Sequence, residues 1–318
     1  MKALSHFFRP LIAEIVTVSI TLFRLMIPVI IIVKVLEELG GVALLGTLLG
    51  PLMGLIGLPD SMGLVWAAAV FANIYAGILV LFSLGLQDSL SVAQITVLSG
   101  LLLMAHGLPI EARIAQRAGV RLRAILVVRI GGGLVFAWLL HQIYSQGDWL
   151  QQPNQMSWQP DPVDSSLQGW AQAQLESLLV VQLVIIVLLT GLRILRLLGI
   201  EKLMAWLLQP LLKLLGIGKE ATSITIIGVT LGLAFGGGLL IKEAQAGHVS
   251  KRDVFASMVF LGLCHGLIED TLLMLLLGAD LSGILWMRLA FSLLVVAILS
   301  RWLDRQNPEF QQRYLVRP

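Results

Sequence analysis

Residues 106–111 read HGLPIE, and residues 265–270 read HGLIED, 159 positions further along the chain. The same offset aligns most of the two halves without a gap. It pairs Gly40 with Gly199, Pro51 with Pro210, Gly57 with Gly216, Gly77 with Gly236, Gly119 with Gly278 and Arg129 with Arg288. Leucines match easily in an apolar chain, but prolines, glycines, histidines and arginines do not. The chain is therefore predicted to be an internal duplication.

The composition around these motifs is typical of a membrane protein. Of the 318 residues, 57% are hydrophobic and only 13% are charged, whereas a soluble domain carries about a quarter charged residues. Apolar blocks such as 11–33, 62–84 and 283–300 approach or exceed the ~20 residues that cross the hydrocarbon core of a bilayer. The blocks lack the alternation of strands, so helices must satisfy the backbone polar groups. The predicted fold class is an all-α integral membrane protein.

Each half is predicted to contain about five helices, so that about ten transmembrane or re-entrant helices form two repeats. The predicted helices are 11–38, 42–57, 62–84, 92–116 and 122–143, followed by 172–197, 201–216, 221–241, 254–276 and 282–303. The second helix of each half is short and contains a proline, which leaves open whether it spans or re-enters. The domains are a first repeat at 1–144, a linker at 145–170, a second repeat at 171–304 and a tail at 305–318.

The matched loops carry opposite charge. Residues 113–123 contain four arginines and the matched residues 271–282 contain no basic residue, whereas 242–252 contains three basic residues and 83–93 contains none. The positive-inside rule then predicts that both termini and the tail are cytoplasmic and that the linker is extracytoplasmic. With an odd number of crossings in each unit, the repeats are predicted to be inverted, an architecture common among secondary transporters.

Ionisable residues inside membrane segments mark the first group of candidate site residues. This group consists of His106, Glu111, His265, Glu269 and Asp270. Histidine ionises near neutral pH, so a histidine–carboxylate group suits proton coupling. It also suits hydrogen bonding to a polar solute, or ligation of a divalent metal by His106, Glu111, His265 and Glu269. The alternative is structural: the histidines brace helix ends and the acids lie at the membrane interface.

Glycines and arginines form the second group. Asn73, Gly77 and the run Gly236, Gly237 and Gly238 are predicted to interrupt the third helix of each half and to expose backbone groups to a substrate. Close packing of small residues between helices accounts for the same glycines. Arg129 and Arg288 lie inside the fifth helices, where each either snorkels to the surface or pairs with the preceding acid, Glu111 or Asp270.

Two further stretches carry a family resemblance. Residues 44–59 read LLGTLLGPLMGLIGLP, and residues 206–217 read WLLQPLLKLLGI. They resemble the nucleoside recognition, or Gate, domain of concentrative nucleoside transporters, of the membrane part of ferrous-iron transporters, and of spore maturation proteins A and B. The resemblance implies a multi-pass, transporter-like protein of the bacterial inner (plasma) membrane. It does not identify a substrate, because the members of the family differ in that respect.

These observations predict membrane transport of a small polar or ionic solute, including a nucleoside-like one, by alternating access with H⁺ or Na⁺ as candidate coupling ions. A divalent-metal carrier and a non-transporting scaffold are the alternatives. An enzyme is not expected, since no nucleophile–base motif is present, and the single Cys264 excludes a disulfide framework. The expected partners are the lipid bilayer and the solute, without nucleic acid or a resident cofactor. Whether the chain forms a homo-oligomer stays open.

Overall fold

The structure of the protein is a computed structural model that describes residues 2–85, 89–155 and 167–316. In the first half the α-helices are α1 (Lys2–Glu38), α2 (Gly41–Leu55), α3 (Met62–Phe71), α4 (Ile74–Ser83), α5 (Val92–Met104), α6 (Leu108–Ala118), α7 (Leu122–Leu126) and α8 (Gly132–Gln146). In the second half they are α9 (Leu167–Leu197), α10 (Ile200–Leu214), α11 (Lys219–Leu231), α12 (Leu233–Gln245), α13 (Lys251–Cys264), α14 (Glu269–Leu276), α15 (Arg288–Asp304) and α16 (Pro308–Phe310).

Three π-helical segments complete the helical structure. They are Val127–Gly131 between α7 and α8, Ser282–Met287 before α15, and Gln311–Leu315 after α16. Over the ranges given above, the only β-structure consists of two isolated bridges. The prediction of an all-helical chain is confirmed for this part of the protein.

The two halves repeat one another in local structure as well as in sequence. The offset of 159 places α2 on α10 residue for residue, and it places the first residue of α4 on the first residue of α12. Left-handed glycines recur at the same offset, including Gly107 with φ +56° and Gly266 with φ +57°. L-residues with a side chain rarely adopt this conformation, so the two halves turn at the same point for the same reason.

Five helical segments in the described ranges are long and apolar enough to cross a membrane, and two of them contain consecutive helices, α7 with α8 and α13 with α14. A sixth span is available if one bent pair counts as a single crossing. The five are Phe8–Leu36, Leu122–Gln146, Gln168–Leu197, Lys251–Leu276 and Ser282–Asp304. The bent pair is α5 with α6, whose axes differ by 42°. Three of the six candidate spans fall in each half. The expectation of about ten transmembrane or re-entrant helices is thereby reduced to six candidate spans and several shorter helices.

The third predicted helix of the first half, 62–84, is not a single span. A Cβ added at Gly77 of α4 would lie 2.9 Å from the Cβ of Ala69 and 3.1 Å from the carbonyl oxygen of Val65, both in α3. Residues eight and twelve positions apart in sequence touch only if the chain folds back on itself. At 1.5 Å per residue, each ten-residue arm is ~15 Å long, about half the thickness of the hydrocarbon core. Helices α3 and α4 therefore form a helical hairpin.

The second half contains the matching hairpin, α11 with α12, in place of the predicted helix 221–241. A Cβ at Gly236 would overlap the Cα of Gly228, eight residues earlier. The turns lie at Asn73 and Gly232, four residues before the expected breaks at Gly77 and Gly236. The Asn73 side chain accepts a hydrogen bond from Ala76 N at 2.9 Å and so begins α4. Gly232 has φ +91°, which stops α11.

The fourth predicted helix of each half is broken near its middle. In the first half α5 ends at Met104, and α6 begins at Leu108 after the left-handed Gly107. Pro109 lies in the first turn of α6, where a missing N–H leaves no hydrogen bond unmade. In the second half α13 ends at Cys264 and α14 begins at Glu269. No proline is present there, so the glycine turn alone accompanies the break.

Contacts with the C-terminal tail define one end of the helix bundle. Arg121 N donates to Leu315 O at 2.8 Å. Arg252, at the start of α13, donates to Gly216 O at 2.8 Å and pairs with Asp304 at 2.9 Å. We call this end of the bundle the tail end.

Contacts with residues 144–154 define the opposite end. The side-chain amide of Asn154 donates to Leu277 O at 3.0 Å, and the Tyr144 hydroxyl lies 2.8 Å from the Ser282 hydroxyl. We call this the linker end. Of the predicted linker, residues 156–166 lie outside the described ranges, as do residues 317 and 318 of the predicted tail. Helix α9 already begins at Leu167, four residues before the expected start of the second repeat.

Candidate functional site

The helix breaks bring the two histidines together inside the bundle. His106 follows the end of α5, His265 follows the end of α13, and their ring centroids are 5.1 Å apart. Both side chains are buried, with only 6% and 4% of each residue exposed. Each ring Nδ1 lies 2.7 Å from the carbonyl oxygen four residues earlier, that of Leu102 or Leu261. The duplicated sequence thus holds both rings by the same hydrogen bond.

These hydrogen bonds determine which ring nitrogen carries the proton. A carbonyl oxygen can only accept, so Nδ1 must donate, and Nε2 of a neutral ring is left with a bare lone pair. The Nε2 atoms of His106 and His265 lie 3.5 Å and 3.2 Å from the same atom, Oε1 of Glu111. Two lone pairs and a carboxylate oxygen therefore converge, and they repel one another unless a proton or another cation lies among them.

Glu111 is itself held in place by an arginine. Its Oε2 accepts from Nη1 of Arg129, a side chain with no exposed surface. Arg129 Nε donates to Met104 O at 3.0 Å. The π-helical segment Val127–Gly131 contains this arginine, as is frequent at functional sites. The structure therefore contains the internal ion pair that the sequence suggested for Arg129.

The equivalent ion pair is missing from the second half. Arg288 is as deeply buried as Arg129, and its Nε donates to Leu263 O at 3.0 Å. Its Nη2 donates to His265 O at 2.8 Å. No carboxylate within the described part of the chain lies at ion-pair distance from Arg288. The pairing of Arg288 with Asp270, one of the two predicted alternatives, is therefore wrong, because the guanidinium donates to backbone carbonyls instead.

Asp270 takes part in a different group. Its Oδ2 is buried and has no hydrogen-bond partner among the residues that the structure describes. Asp270, His106 and His265 each offer one potential metal-ligand atom, and these three atoms all lie within 4.8 Å of one another, which is a suitable arrangement for a metal ion. The metal-ligand set predicted from the sequence contained Glu269 instead, and the structure gives this place to its neighbour Asp270.

Glu269 lies beside this cluster, in the wall of a cavity of about 190 Å³. The cavity is also lined by Glu14 of α1, by Arg193 of α9 and by Thr230 of α11. Oε2 of Glu14 and Nη1 of Arg193 lie 3.8 Å apart. Arg196 and Ile200, where α9 leads into α10, line the cavity as well. Helix α9 begins near the linker end, where Gln174 donates to the Ser83 hydroxyl at 3.2 Å, and its last turns line the cavity. The cavity therefore lies toward the tail-end half of the protein.

The turns of both hairpins touch the helix breaks. Gly107 N, in the first break, donates to Ala69 O near the end of α3 at 2.9 Å. Leu267 N, in the second break, donates to Val229 O near the end of α11 at 3.0 Å. Four interruptions of helical structure therefore meet around the histidine–carboxylate cluster, two from the hairpins and two from the broken spans.

Asn73 and the predicted glycines support the hairpins rather than the cluster. Asn73 begins α4, and its side-chain Nδ2 is buried without a partner. Gly77 and Gly236 allow the two arms of each hairpin to pack closely. Gly237 lies against Ile114 of α6, and Gly238 is exposed. These contacts are the ones expected of small-residue helix packing.

Two residues near the site were missed by the sequence reasoning. Glu14 lines the cavity, and Tyr75 lies beside Glu269. Glu14 could have been found, since it is an ionisable residue inside the candidate span Phe8–Leu36, and such residues mark functional sites by default. Tyr75 carried no signal of its own, because its proximity depends on the folding back of α4.

Comparison with known proteins identifies a relative of nearly the same length. Over 287 aligned residues the chain is 33% identical to the uncharacterised membrane protein YvoD of Bacillus subtilis (strain 168). The alignment covers 89% of this chain and 90% of the relative. The chain belongs to the YvoD family. It is a membrane protein with several transmembrane helices. No protein-family model matches the sequence, and no solved structure matches it, so the resemblance to the Gate domain stays a prediction.

Proposed function

We propose that this member of the YvoD family is a carrier, and not an enzyme, that moves a small polar or ionic solute across the bacterial inner membrane by alternating access. The observation that carries the proposal is the meeting of two broken spans and two hairpin turns at a buried histidine–carboxylate cluster. Irregular backbone at membrane depth is tolerated where it is buried in protein or lines a cavity. In secondary transporters such breaks form the binding sites for substrate and coupling ion.

The directions of equivalent helices support inverted repeats. Helix Leu122–Gln146 begins beside Arg121 at the tail end and ends beside the linker. The equivalent helix Ser282–Asp304 begins at the linker end, where Ser282 meets Tyr144, and ends at the tail end. Equivalent helices of the two halves thus run in opposite directions. Together with the Lys/Arg bias, this favours a cytoplasmic tail end, with both termini in the cytoplasm.

The difference between the two halves supports alternating access. In the first half Glu111 is bound to Arg129, whereas in the second half Glu269 lines the cavity on the tail-end side. We take this arrangement as the state that faces the cytoplasm. In the opposite state the first half would open toward the linker end, and the Arg129–Glu111 pair is the contact that we expect to separate. A proton held by the histidines, or Na⁺, would couple the two states.

Flux through the purified protein tests the proposal. Proteoliposomes that contain the protein are expected to move at least one solute from a panel of nucleosides, amino acids and metal ions along an imposed gradient. His106→Gln with His265→Gln is expected to reduce this flux tenfold or more, while His248→Gln, at an exposed position on the loop after α12, leaves it unchanged. Equal flux in the double variant would remove the histidines from the mechanism. Absence of flux under every gradient would favour the non-transporting scaffold.

Cysteine labelling tests the inverted arrangement independently. The native Cys264 is buried, so it contributes little background. Arg117→Cys and Leu281→Cys each introduce a thiol at an exposed position, the first near the tail end and the second near the linker end. In intact cells a membrane-impermeant maleimide is expected to label the Leu281→Cys variant and not the Arg117→Cys variant. Labelling of both from the same side would contradict inverted repeats.

A further inference from the structure

We infer that His106, His265 and Asp270 form a binding site for a divalent transition-metal cation of the class that includes Zn²⁺, Fe²⁺, Co²⁺ and Ni²⁺. The site joins the two halves of the protein, because His106 belongs to the first half and the other two ligands belong to the second. As an account of the transported solute, the inference rests on the proposed carrier function. As an account of a binding site, it stands on the geometry alone.

The orientation of the histidines is the first argument. A histidine that ligates a metal almost always donates its other ring N–H to a carbonyl or a carboxylate, which sets the tautomer and aims the free nitrogen. Both Nδ1 atoms make this hydrogen bond, at 2.7 Å to Leu102 O and Leu261 O. Both Nε2 atoms are thereby directed at the shared space between the rings. A histidine that only braced a helix end would not need its second nitrogen to face another histidine.

The charge around this space is the second argument. Asp270 has a buried oxygen without a hydrogen-bond partner, and Arg288 donates to carbonyls instead of to Asp270. Oε1 of Glu111 faces the same two Nε2 atoms. Lone pairs and carboxylate oxygens thus converge from several sides in a buried volume. A cation bound there would satisfy all of them at once, whereas a solute that accepts hydrogen bonds would add to the repulsion.

The donor types identify the class of cation. Imidazole nitrogen suits zinc, iron, copper and nickel, whereas calcium and magnesium prefer sites made of oxygen ligands. Two imidazoles with a single carboxylate leave coordination positions open. An open position is typical of sites that exchange a water or another ligand rather than of closed structural sites. Glu111 adds negative charge beside these three ligands, because its Oε2 is bound to Arg129 while its Oε1 faces both Nε2 atoms.

The placement of the ligands links metal affinity to conformation. His106 is hydrogen-bonded to α5, while His265 follows the end of α13 and Asp270 lies in the first turn of α14. A movement of one half against the other would separate His106 from its two partners and open the site. Strong binding in one conformation and release in the other is the behaviour that a metal carrier requires.

Direct metal binding tests the inference without any measurement of flux. The full-length protein in nanodiscs, treated with a chelator and then dialysed against Co²⁺ or Zn²⁺, is expected to bind one ion per chain, as measured by elemental analysis. Bound Co²⁺ should also give visible absorption bands characteristic of mixed nitrogen and oxygen ligands. His265→Gln and the nearly isosteric Asp270→Asn are each expected to weaken binding by about 10- to 100-fold, which is the range seen even for residues that only support a ligand.

His248→Gln is the matched control, since His248 is an exposed histidine whose Nδ1 lies 2.7 Å from Glu243, outside the cluster. It is expected to leave binding unchanged. Folded, monodisperse protein that binds no metal saturably would overturn the inference, as would binding that is lost with His248→Gln and kept with His265→Gln. Flux of another solute by a protein without a metal site would leave the carrier proposal intact. Metal binding by a protein that moves nothing would refute the carrier proposal and keep the site.

Discussion

The two halves of this protein share a backbone plan but differ in how they treat their buried charges. In both, a helix ends just before a histidine, and an arginine Nε donates at 3.0 Å to an equivalent carbonyl, that of Met104 or Leu263. In the first half the next acid, Glu111, reaches the arginine. In the second half Asp270 is one methylene shorter, and Arg288 donates to carbonyls instead. A single methylene therefore accompanies the change from an ion pair to an unpartnered carboxylate.

A second difference lies one residue earlier. Ile110 in the first half is exposed, while its counterpart Glu269 lines the cavity. The packing differs as well, because α6 lies against α12 of the other half whereas α14 lies against α9 of its own half. The comparison teaches that a duplicated backbone can bury an acid in an ion pair in one half and place an acid in the wall of a cavity in the other.

The largest expected effect concerns the ion pair itself. Glu111→Gln leaves the guanidinium of Arg129 buried without a countercharge, and breaking a buried pair in this way costs about 3–5 kcal/mol. Asp270→Asn is the matched variant in the second half, and its effect on the free energy of unfolding is expected to stay within about 1 kcal/mol, since no arginine of the described ranges pairs with Asp270. Denaturant unfolding in detergent measures both. Similar losses in the two variants would mean that the halves do not differ in charge pairing.

An intermediate effect is expected at the hairpins. Gly236→Ala forces a methyl group against the backbone of Gly228, and overpacking of this kind costs about 1–3 kcal/mol. Gly77→Ala is expected to cost less, because its nearest neighbour is the methyl group of Ala69 at 2.9 Å. Gly238→Ala is the control, since nothing lies near its Cβ and alanine favours a helix. Melting temperatures should follow that order, and a melting temperature lowered by Gly238→Ala would contradict it.

The smallest effect on stability is expected at Glu269, together with a large effect on function. Glu269→Gln removes a charge that no ion pair in the described residues neutralises, so the free energy of unfolding should change by less than about 1 kcal/mol. Solute flux in proteoliposomes should nevertheless fall tenfold or more, because the carboxylate lines the proposed path. Ile110→Ala, at the equivalent position of the first half, is expected to leave flux unchanged. Equal flux in the Glu269 variant would make the cavity irrelevant to transport.

Much of the fold could be predicted because its signals are local. Unbroken apolar blocks predict helices in a membrane, whereas the predicted helices 92–116 and 254–276 run across the breaks that the structure contains at the two HGL motifs. The hairpins could not be predicted in this way, because residues 62–84 are as apolar as a true span. The turn at Asn73 depends on one side-chain hydrogen bond and on the contact of Gly77 with α3, which the sequence does not display.

The candidate site shows the same division. Sequence reasoning found both histidines and the three acids that follow them, Glu111, Glu269 and Asp270, because ionisable residues stand out in apolar segments. Its alternative set of metal ligands contained Glu269 rather than Asp270, since neighbouring residues cannot be distinguished until the helix after the break has a definite rotation. It also left open whether Arg288 snorkels or pairs with Asp270, and only the positions of the nearby carbonyl groups decide against that pairing.

The sequence by itself determined that this is an apolar helical chain of two related halves with charged residues in its membrane segments, because hydrophobicity, repetition and turn residues act over short distances along the chain. Only the tertiary structure decided that His106 and His265 face one another, that one arginine binds a carboxylate and the other binds carbonyls, and that a cavity reaches Glu269. The histidine pair and the cavity join residues more than a hundred positions apart, and the arginine contacts join residues 18 to 25 positions apart across a helix break. All of these distances are set by how the helices pack.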